Sequence, residues 1–120
     1  MYGDGNTSRD YTYVGDIVKG LISAISYDKT PFEIINLGNN YSISLAELIN
    51  MIEKVMGKKA TIQQLPEQAG DVPKTFADIN KAKKLLGYDP ETKLEVGIRN
   101  FYEWFLKNED MLIQIEELNT

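Results

Sequence analysis

The 120-residue chain contains no cysteine and no histidine. The lack of cysteine excludes disulfides and thiolate chemistry, and the lack of histidine removes the commonest general base and metal ligand. The sequence has no apolar run of about 18 residues that could cross a bilayer, and no recognisable secretory leader. We therefore expect no metal site and no membrane association, and we expect a soluble, cytoplasmic protein.

Positive charge is also scarce. Thirteen Lys and Arg residues stand against 18 Asp and Glu residues, for a net charge of −5 and a sequence pI near 4.7. This balance disfavours non-specific nucleic-acid binding, so no nucleic-acid partner is expected. An anionic ligand would need a local cluster of donors, because the field of the whole protein is repulsive. The length fits one domain or part of one.

A short segment near the start combines a glycine loop, an arginine and the beginning of a helix. The loop is residues 3–5, where glycine favours turns. Residues 9–14 alternate polar, aromatic and β-branched side chains, which predicts a short strand. Apolar spacing predicts a helix over residues 16–26, capped by Asp16. Arg9 would then lie on a strand edge beside a loop and a helix start, a suitable place for a phosphate.

Two further strands are predicted. Residues 32–37 contain two adjacent isoleucines, which indicates a strand buried on both faces as in a parallel sheet. Residues 60–65 are predicted as a second short strand, followed by a polar loop over residues 66–75. Asn36 and Gly38 stand at the end of the first strand. The carboxyl end of a strand in an open α/β sheet can line a ligand crevice, but we expect these two residues to serve the turn.

Helix signals are clear in the rest of the chain. Two capping boxes, residues 44–47 and 92–95, each place a hydroxyl three residues before a glutamate. A shorter helix is capped by Asp78 or Asn80 and closed by Gly87. The predicted helices are residues 44–56, 78–86 and 94–107. The aromatic residues of the last helix, including Trp104, are expected in the core.

Four groups of residues occur in a recognisable order. They are Gly3-Asp4-Gly5 with Arg9-Asp10-Tyr11-Thr12-Tyr13-Val14 and Asp16-Ile17-Val18; Ile35-Asn36-Leu37-Gly38-Asn39; Gly70-Asp71-Val72-Pro73-Lys74-Thr75-Phe76-Ala77-Asp78; and Ala82-Lys83-Lys84-Leu85-Leu86-Gly87-Tyr88 followed by residues 94–105. Together they resemble NAD-dependent nucleotide-sugar epimerases and dehydratases, the extended short-chain dehydrogenases, and in particular UDP-glucuronate and UDP-glucose 4-epimerases.

The resemblance implies an α/β fold: the C-terminal substrate-binding portion of a Rossmann-type enzyme, with helices and a few short strands. Residues 1–108 would form the sugar-nucleotide-binding portion. Residues 109–120 lie beyond the resemblance, and their alternating acidic and apolar side chains predict a tail that adds a helical turn or two.

The resemblance also implies a substrate-binding site. The family arginine that matches Arg9 contacts the nucleotide diphosphate, and a guanidinium can hold two phosphate oxygens. The alternative is a surface arginine paired with Asp10 or Asp16. The family aspartate that matches Asp71 accepts both ribose hydroxyls, and the alternative is a turn-capping aspartate.

Two more residues belong to this predicted site. Gln68 stands where many relatives have a phosphate-binding arginine, so it offers a hydrogen bond but no charge. Tyr11 either stacks or hydrogen-bonds near a sugar or serves packing, and the sequence leaves both open. For Tyr13 we expect packing.

The chemistry of the resembled family needs a glycine-rich turn for NAD and a tyrosine followed four residues later by a lysine. Neither pattern occurs in the sequence. We therefore expect no catalytic residue and no cofactor bound by this chain, with NAD required only in the full-length enzyme.

The predicted function is weak UDP-sugar binding within a 4-epimerase, anchoring the diphosphate while the sugar is oxidised, rotated and reduced. Two alternatives stay open. One is a non-catalytic remnant that associates with itself, and the other is the same portion of a dehydratase or decarboxylase. A homo-oligomer is expected because residues 32–37 and the apolar stripe of the first helix would lack cover.

Overall fold

The computed structural model describes residues 1–118, which contain five helices and one two-stranded antiparallel sheet. The elements are β1 (Ser8–Arg9), α1 (Val14–Ile25), β2 (Ile43–Ser44), α2 (Leu45–Met56), α3 (Asn80–Leu86), α4 (Leu94–Lys107) and α5 (Glu109–Leu118). None of these helices combines the length and apolar character needed to cross a membrane.

β1 lies between two other segments. On one side it pairs with β2, so that Ser8 faces Ser44 and Arg9 faces Ile43. On the other side a parallel bridge joins Ser8 to Lys74. In that bridge the Ser8 N–H donates to the Pro73 carbonyl at 2.8 Å, and the Thr75 N–H donates to the Ser8 carbonyl at 3.1 Å. The predicted strand over residues 9–14 is therefore confirmed only at Arg9, and its remaining residues are not in a strand.

The first capping box is confirmed. The Ser44 Oγ accepts the Glu47 N–H at 3.2 Å, and the Glu47 carboxylate accepts the Ser44 N–H at 2.8 Å. That backbone donor, with the Ser44 hydroxyl, lowers the pKa of Glu47. α2 ends as predicted at Gly57, whose φ of 67° is the left-handed conformation that glycine adopts readily.

The capping predictions at the starts of α1 and α4 are wrong. α1 begins at Val14, so Asp16 lies in its first turn and does not occupy the cap position. The second capping box, at residues 92–95, does not form: Lys93 precedes α4 and its side chain makes no capping bond. Instead the Thr92 N–H donates to Asp16 at 3.0 Å. One buried carboxylate thus joins the first turn of α1 to the residue that precedes the cap position of α4.

Both further strand predictions are wrong. Residues 32–37 have no strand partner, and their two faces differ in burial. Phe32 and Ile34 are 75% and 72% exposed, whereas Ile35 and Leu37 pack on the core. The segment therefore has neighbours on one side only. Residues 60–65 form no strand, although Leu65 makes an isolated parallel bridge with Tyr2.

The core centres on the short helix α3 and the turns around it. Ile79, Ala82 and Tyr88 are buried there. α3 begins at Asn80 with Ile79 at the cap position, so the prediction that Asp78 or Asn80 is the cap residue is wrong. The Asn80 N–H does donate to the Asp78 side chain at 2.9 Å, and the helix closes at Gly87 as predicted. The aromatic residues of α4 do not lie in the core, contrary to expectation: Trp104 is 46% exposed and stacks on the exposed Phe101.

Candidate functional site

The site is built on an ion pair between Arg9 and Asp71, which lie 62 residues apart in sequence. The Arg9 guanidinium contacts one Asp71 carboxylate oxygen, and its other terminal nitrogen donates to the Ser8 carbonyl at 2.8 Å. Both side chains remain partly exposed, at 27% and 41%. The two residues for which the family resemblance implied phosphate and ribose contacts are thus brought together, and Arg9 pairs with neither Asp10 nor Asp16.

A tight turn brings Asp71 to this position. Its N–H donates to the Gln68 carbonyl at 3.1 Å, which closes a four-residue turn. Gly70 within the turn has a φ of 85°, a conformation that other residues adopt rarely. The chain then runs directly into the bridge with β1. The turn is therefore held against the same strand that carries Arg9.

A cavity of about 290 Å³ opens beside this turn. Its lining consists of Tyr2, Gly3, Thr7, Glu67, Gln68, Asp71 and Pro73. Gln68 and Asp71 therefore line the same cavity, and Arg9 lies next to it because its guanidinium contacts Asp71. Gly3 has a φ of 63°, and a Cβ there would lie 3.1 Å from the Glu67 side chain, so the glycine loop borders the cavity closely.

Tyr11 and Tyr13 lie elsewhere. Both line an apolar groove of about 480 Å³ between α2 and α4. The Tyr13 ring packs over Gly97, where an added Cβ would come within 3.1 Å of it. This agrees with the packing role expected of Tyr13. Tyr11 is not among the residues that line the Gln68 and Asp71 cavity.

Asp10 is the residue that sequence reasoning missed. Its carboxylate accepts the backbone N–H groups of Asn39, Asn40 and Ala77 at 2.9–3.0 Å, and the Thr12 hydroxyl at 3.2 Å. The sequence suggested Asp10 only as a partner for Arg9. The sequence signal was an aspartate directly after the candidate arginine. The sequence did not show which hydrogen-bond donors its carboxylate would contact.

Tyr88 connects the core to the same region. Its hydroxyl donates to the Gly38 carbonyl at 2.9 Å. Burial raises the pKa of Tyr88, and the negative charges of Asp16 and Asp10 add to this effect. The phenol therefore stays protonated as a donor and fixes the loop at residue 38. In the part of the chain that the structure describes, no group of acidic side chains is arranged to hold a metal ion.

Comparison with known proteins assigns the family. The family model described as GDP-mannose 4,6 dehydratase matches residues 1–101. The chain belongs to the nucleotide-sugar epimerase and dehydratase family. It is 45% identical over 115 residues to an uncharacterised protein of Methanocaldococcus jannaschii, covering 96% of this chain and 35% of that protein. It is 38% identical over 117 residues to the UDP-glucuronate 4-epimerase of Thermodesulfobacterium geofontis, covering 97% and 36%.

Solved structures of family members show the same fold. The Bacillus cereus UDP-glucuronic acid 4-epimerase, in complex with UDP-glucuronic acid and NAD, matches with a TM-score of 0.82 and 36% identity. The match covers 89% of this chain and 34% of that one. The chain thus spans about a third of the length of the relatives it matches. Its fold is the C-terminal portion of a Rossmann-type extended short-chain dehydrogenase, which confirms the predicted fold class.

Proposed function

We propose that this chain anchors the nucleotide diphosphate of a UDP-sugar, as part of an NAD-dependent nucleotide-sugar 4-epimerase. The observation that carries the proposal is the contact between Arg9 and Asp71 beside the cavity of about 290 Å³ that Gln68 and Asp71 line. A cation and an acceptor group from distant parts of the sequence meet at the edge of an open cavity. This is the combination that a diphosphate and a ribose require.

Each residue has a distinct role in the proposed complex. Arg9 binds the diphosphate, and its five N–H donors allow it to meet phosphate oxygens while still contacting Asp71. Asp71 accepts the ribose hydroxyls, and Gln68 donates an amide hydrogen bond without adding charge. The role of Tyr11 near the sugar stays a prediction, since its ring lines the groove between α2 and α4.

The residues of this chain do not fit NAD. A dinucleotide is held where a glycine-rich turn joins a parallel strand to a helix. Within residues 1–118 the sheet has two antiparallel strands, and the chain contains no such glycine pattern. In the whole enzyme NAD would supply hydride transfer at C4 of the sugar. This chain would keep the nucleotide fixed so that only the sugar turns.

A second property has its own support. α1 exposes an apolar face whose members are Val14, Val18, Leu21, Ile22 and Ile25, with exposures from 44% to 84%. Phe32 and Ile34 add to the apolar surface. A soluble chain seldom leaves so many large apolar side chains uncovered. We therefore propose that the 120-residue chain associates with itself. Its net charge of −5 supports the further proposal that it has no nucleic-acid partner.

An NMR titration with UDP tests the nucleotide proposal. Because the cavity is open, we expect a Kd of about 1 mM, equivalent to roughly −4 kcal/mol. Resonances of Arg9, Gln68 and Asp71 should shift, and uridine should bind more weakly than UDP. Arg9→Ala should abolish the preference for UDP over uridine.

The matched control is Arg99→Ala, because Arg99 lies on α4 and pairs with Glu95 in its own helix. This variant should bind UDP as the native chain does. UDP binding that is absent from the native chain, or unchanged by Arg9→Ala, would contradict the proposal.

A further inference from the structure

The Asp10 carboxylate gathers donors from three separate parts of the chain. Its Oδ1 accepts the Asn39 N–H at 2.9 Å and the Thr12 hydroxyl at 3.2 Å. Its Oδ2 accepts the N–H groups of Asn40 and Ala77, both at 3.0 Å. The three backbone donors are 29, 30 and 67 residues away in sequence. Such charge-assisted hydrogen bonds are stronger than those between neutral groups.

These donors lie on both sides of β1. Asn39 and Asn40 precede β2, which pairs with Arg9 through Ile43. Ala77 follows the bridge formed by Pro73 and Thr75 on the opposite side. Asp10 comes directly after Arg9, so one carboxylate binds the two segments that flank the arginine. The segment on the Ala77 side is the one that carries Asp71.

Two residues next to Asp10 have backbone features that accommodate its carboxylate. Gly38 is buried, and a Cβ at this position would lie 3.0 Å from the Asp10 Oδ2 and 2.5 Å from the Ala77 Cβ. Glycine therefore leaves the space that the carboxylate needs. Asn40 has a φ of 54°, a left-handed conformation that is unfavourable for most residues. Its N–H is held by Asp10 in that conformation.

We propose that Asp10 is a positioning residue for the nucleotide site, setting the separation between Arg9 and the turn that carries Asp71. This inference rests on the proposed function. Arg9 touches the ligand in that proposal, whereas Asp10 acts only through the backbone segments beside it. Asp10→Asn replaces one acceptor oxygen by an amide that cannot accept, so at least one flanking segment loses its hydrogen bond.

UDP titrations of four proteins test the inference: the native chain, Asp10→Asn, Arg9→Ala and the double variant. We expect Asp10→Asn to weaken UDP binding by about fivefold to tenfold in the native background. In the Arg9→Ala background it should change binding by less than twofold, because its effect passes through Arg9. A role in general stability would lower the affinity by the same factor in both backgrounds, and that result would overturn the inference.

Asp16→Asn is the matched control. It also removes a carboxylate that accepts a backbone N–H, but at the junction of α1 and α4. It should leave UDP affinity within twofold of the native value. Should Asp10→Asn fail to fold, Asp10→Glu takes its place, since it keeps the charge and displaces the oxygens by one methylene. Asp10→Glu should weaken UDP binding in the native background only, and native affinity in this variant would overturn the inference.

A second readout separates this inference from the proposed function. The NMR signal of the Arg9 Nε–H reports how the guanidinium is held, with or without UDP. We expect it to shift in Asp10→Asn and to stay unchanged in Asp16→Asn. If the native chain bound no UDP, the proposed function would fail. An Arg9 signal that is unaffected by Asp10→Asn would contradict the positioning role itself.

Discussion

The carboxylate of Asp16 accepts a 3.0 Å hydrogen bond from the backbone N–H of Thr92, which lies 76 residues further along the chain. Asp16 is only 2% exposed. Its second oxygen makes no hydrogen bond and faces the Lys19 ammonium at 3.5 Å. A buried carboxylate on α1 therefore holds the backbone directly before the start of α4.

The first prediction concerns acid sensitivity. Burial by itself would raise the pKa of Asp16, but the hydrogen bonds from Thr92 and the charge of Lys19 outweigh it and leave the pKa below its ordinary value. The stabilisation is therefore present above the unfolded-state pKa and is lost as the pH falls through the folded-state pKa. Asp16→Asn should cost about 1–3 kcal/mol near neutral pH and should reduce the loss of stability in acid.

Urea denaturation at several values between neutral pH and about pH 3 measures both effects. The control is Asp28→Asn, an exposed aspartate in the loop after α1. A free energy of unfolding that depends on pH in Asp16→Asn just as in the native chain would disprove the role of this carboxylate.

The second prediction concerns the close packing at Gly38. Gly38→Ala should destabilise the chain by about 1–3 kcal/mol, because the new methyl group would overlap the Ala77 Cβ. The double variant with Ala77→Gly removes the overlapping atom and should recover part of this loss. Thermal denaturation measures both changes. If the double variant were less stable than Gly38→Ala, the clash would not be the cause.

The third prediction adds charge to the nucleotide site. Gln68→Arg should strengthen UDP binding about threefold to tenfold, since a guanidinium can form charge-assisted bonds to phosphate. This gain in UDP affinity should be smaller at high salt, because dissolved ions screen the attraction between exposed charges. Gln63→Arg adds the same charge outside the cavity lining and serves as control. An equal gain in that variant would show a general charge effect.

The fourth prediction concerns association. Light scattering at micromolar concentration should show a dimer or larger assembly of the 120-residue chain. Ile25→Lys, at a side chain 84% exposed on α1, should weaken that assembly. Leu106→Lys makes the same type of change on α4, where Leu106 is 51% exposed, and should have little effect. A monomeric native chain would refute the prediction.

The fifth prediction is that the chain has no epimerase activity by itself. The sequence lacks both the glycine-rich turn and a tyrosine followed four residues later by lysine. Incubation with UDP-glucuronate and NAD, followed by product analysis, measures the activity. Any epimer formed above the level of a protein-free sample would refute the prediction.

Sequence reasoning was accurate where the interacting groups are close in the chain. The capping box of Ser44 and Glu47 depends on residues three apart, and it formed as predicted. Residues 92–95 have the same pattern, but the Thr92 N–H donates to Asp16 and not to Glu95. Asp16 lies 76 residues away, so the local sequence pattern could not reveal it. The strand prediction at residues 32–37 failed for a related reason, because burial depends on which other segments are present to cover each face.

The family and the fold class were accessible through the ordered motifs, which also assigned Arg9 and Asp71 to one predicted site without indicating that the two side chains form an ion pair. The role of Asp10 was not, because its backbone donors lie 29 to 67 residues away and carry no side-chain signature. Backbone N–H groups are present at nearly every residue, so the sequence cannot show which of them a carboxylate will meet.

The pairing of β1 with segments far along the chain has a kinetic consequence. Ser8 pairs with Ser44 and also bridges to Lys74, so the strand is complete only after two long loops have closed. Helices form within about a microsecond, whereas contacts between distant residues slow folding. In a refolding experiment, helical circular dichroism should therefore recover before the UDP binding that we propose for this chain. Nucleotide binding would then report completion of the tertiary structure.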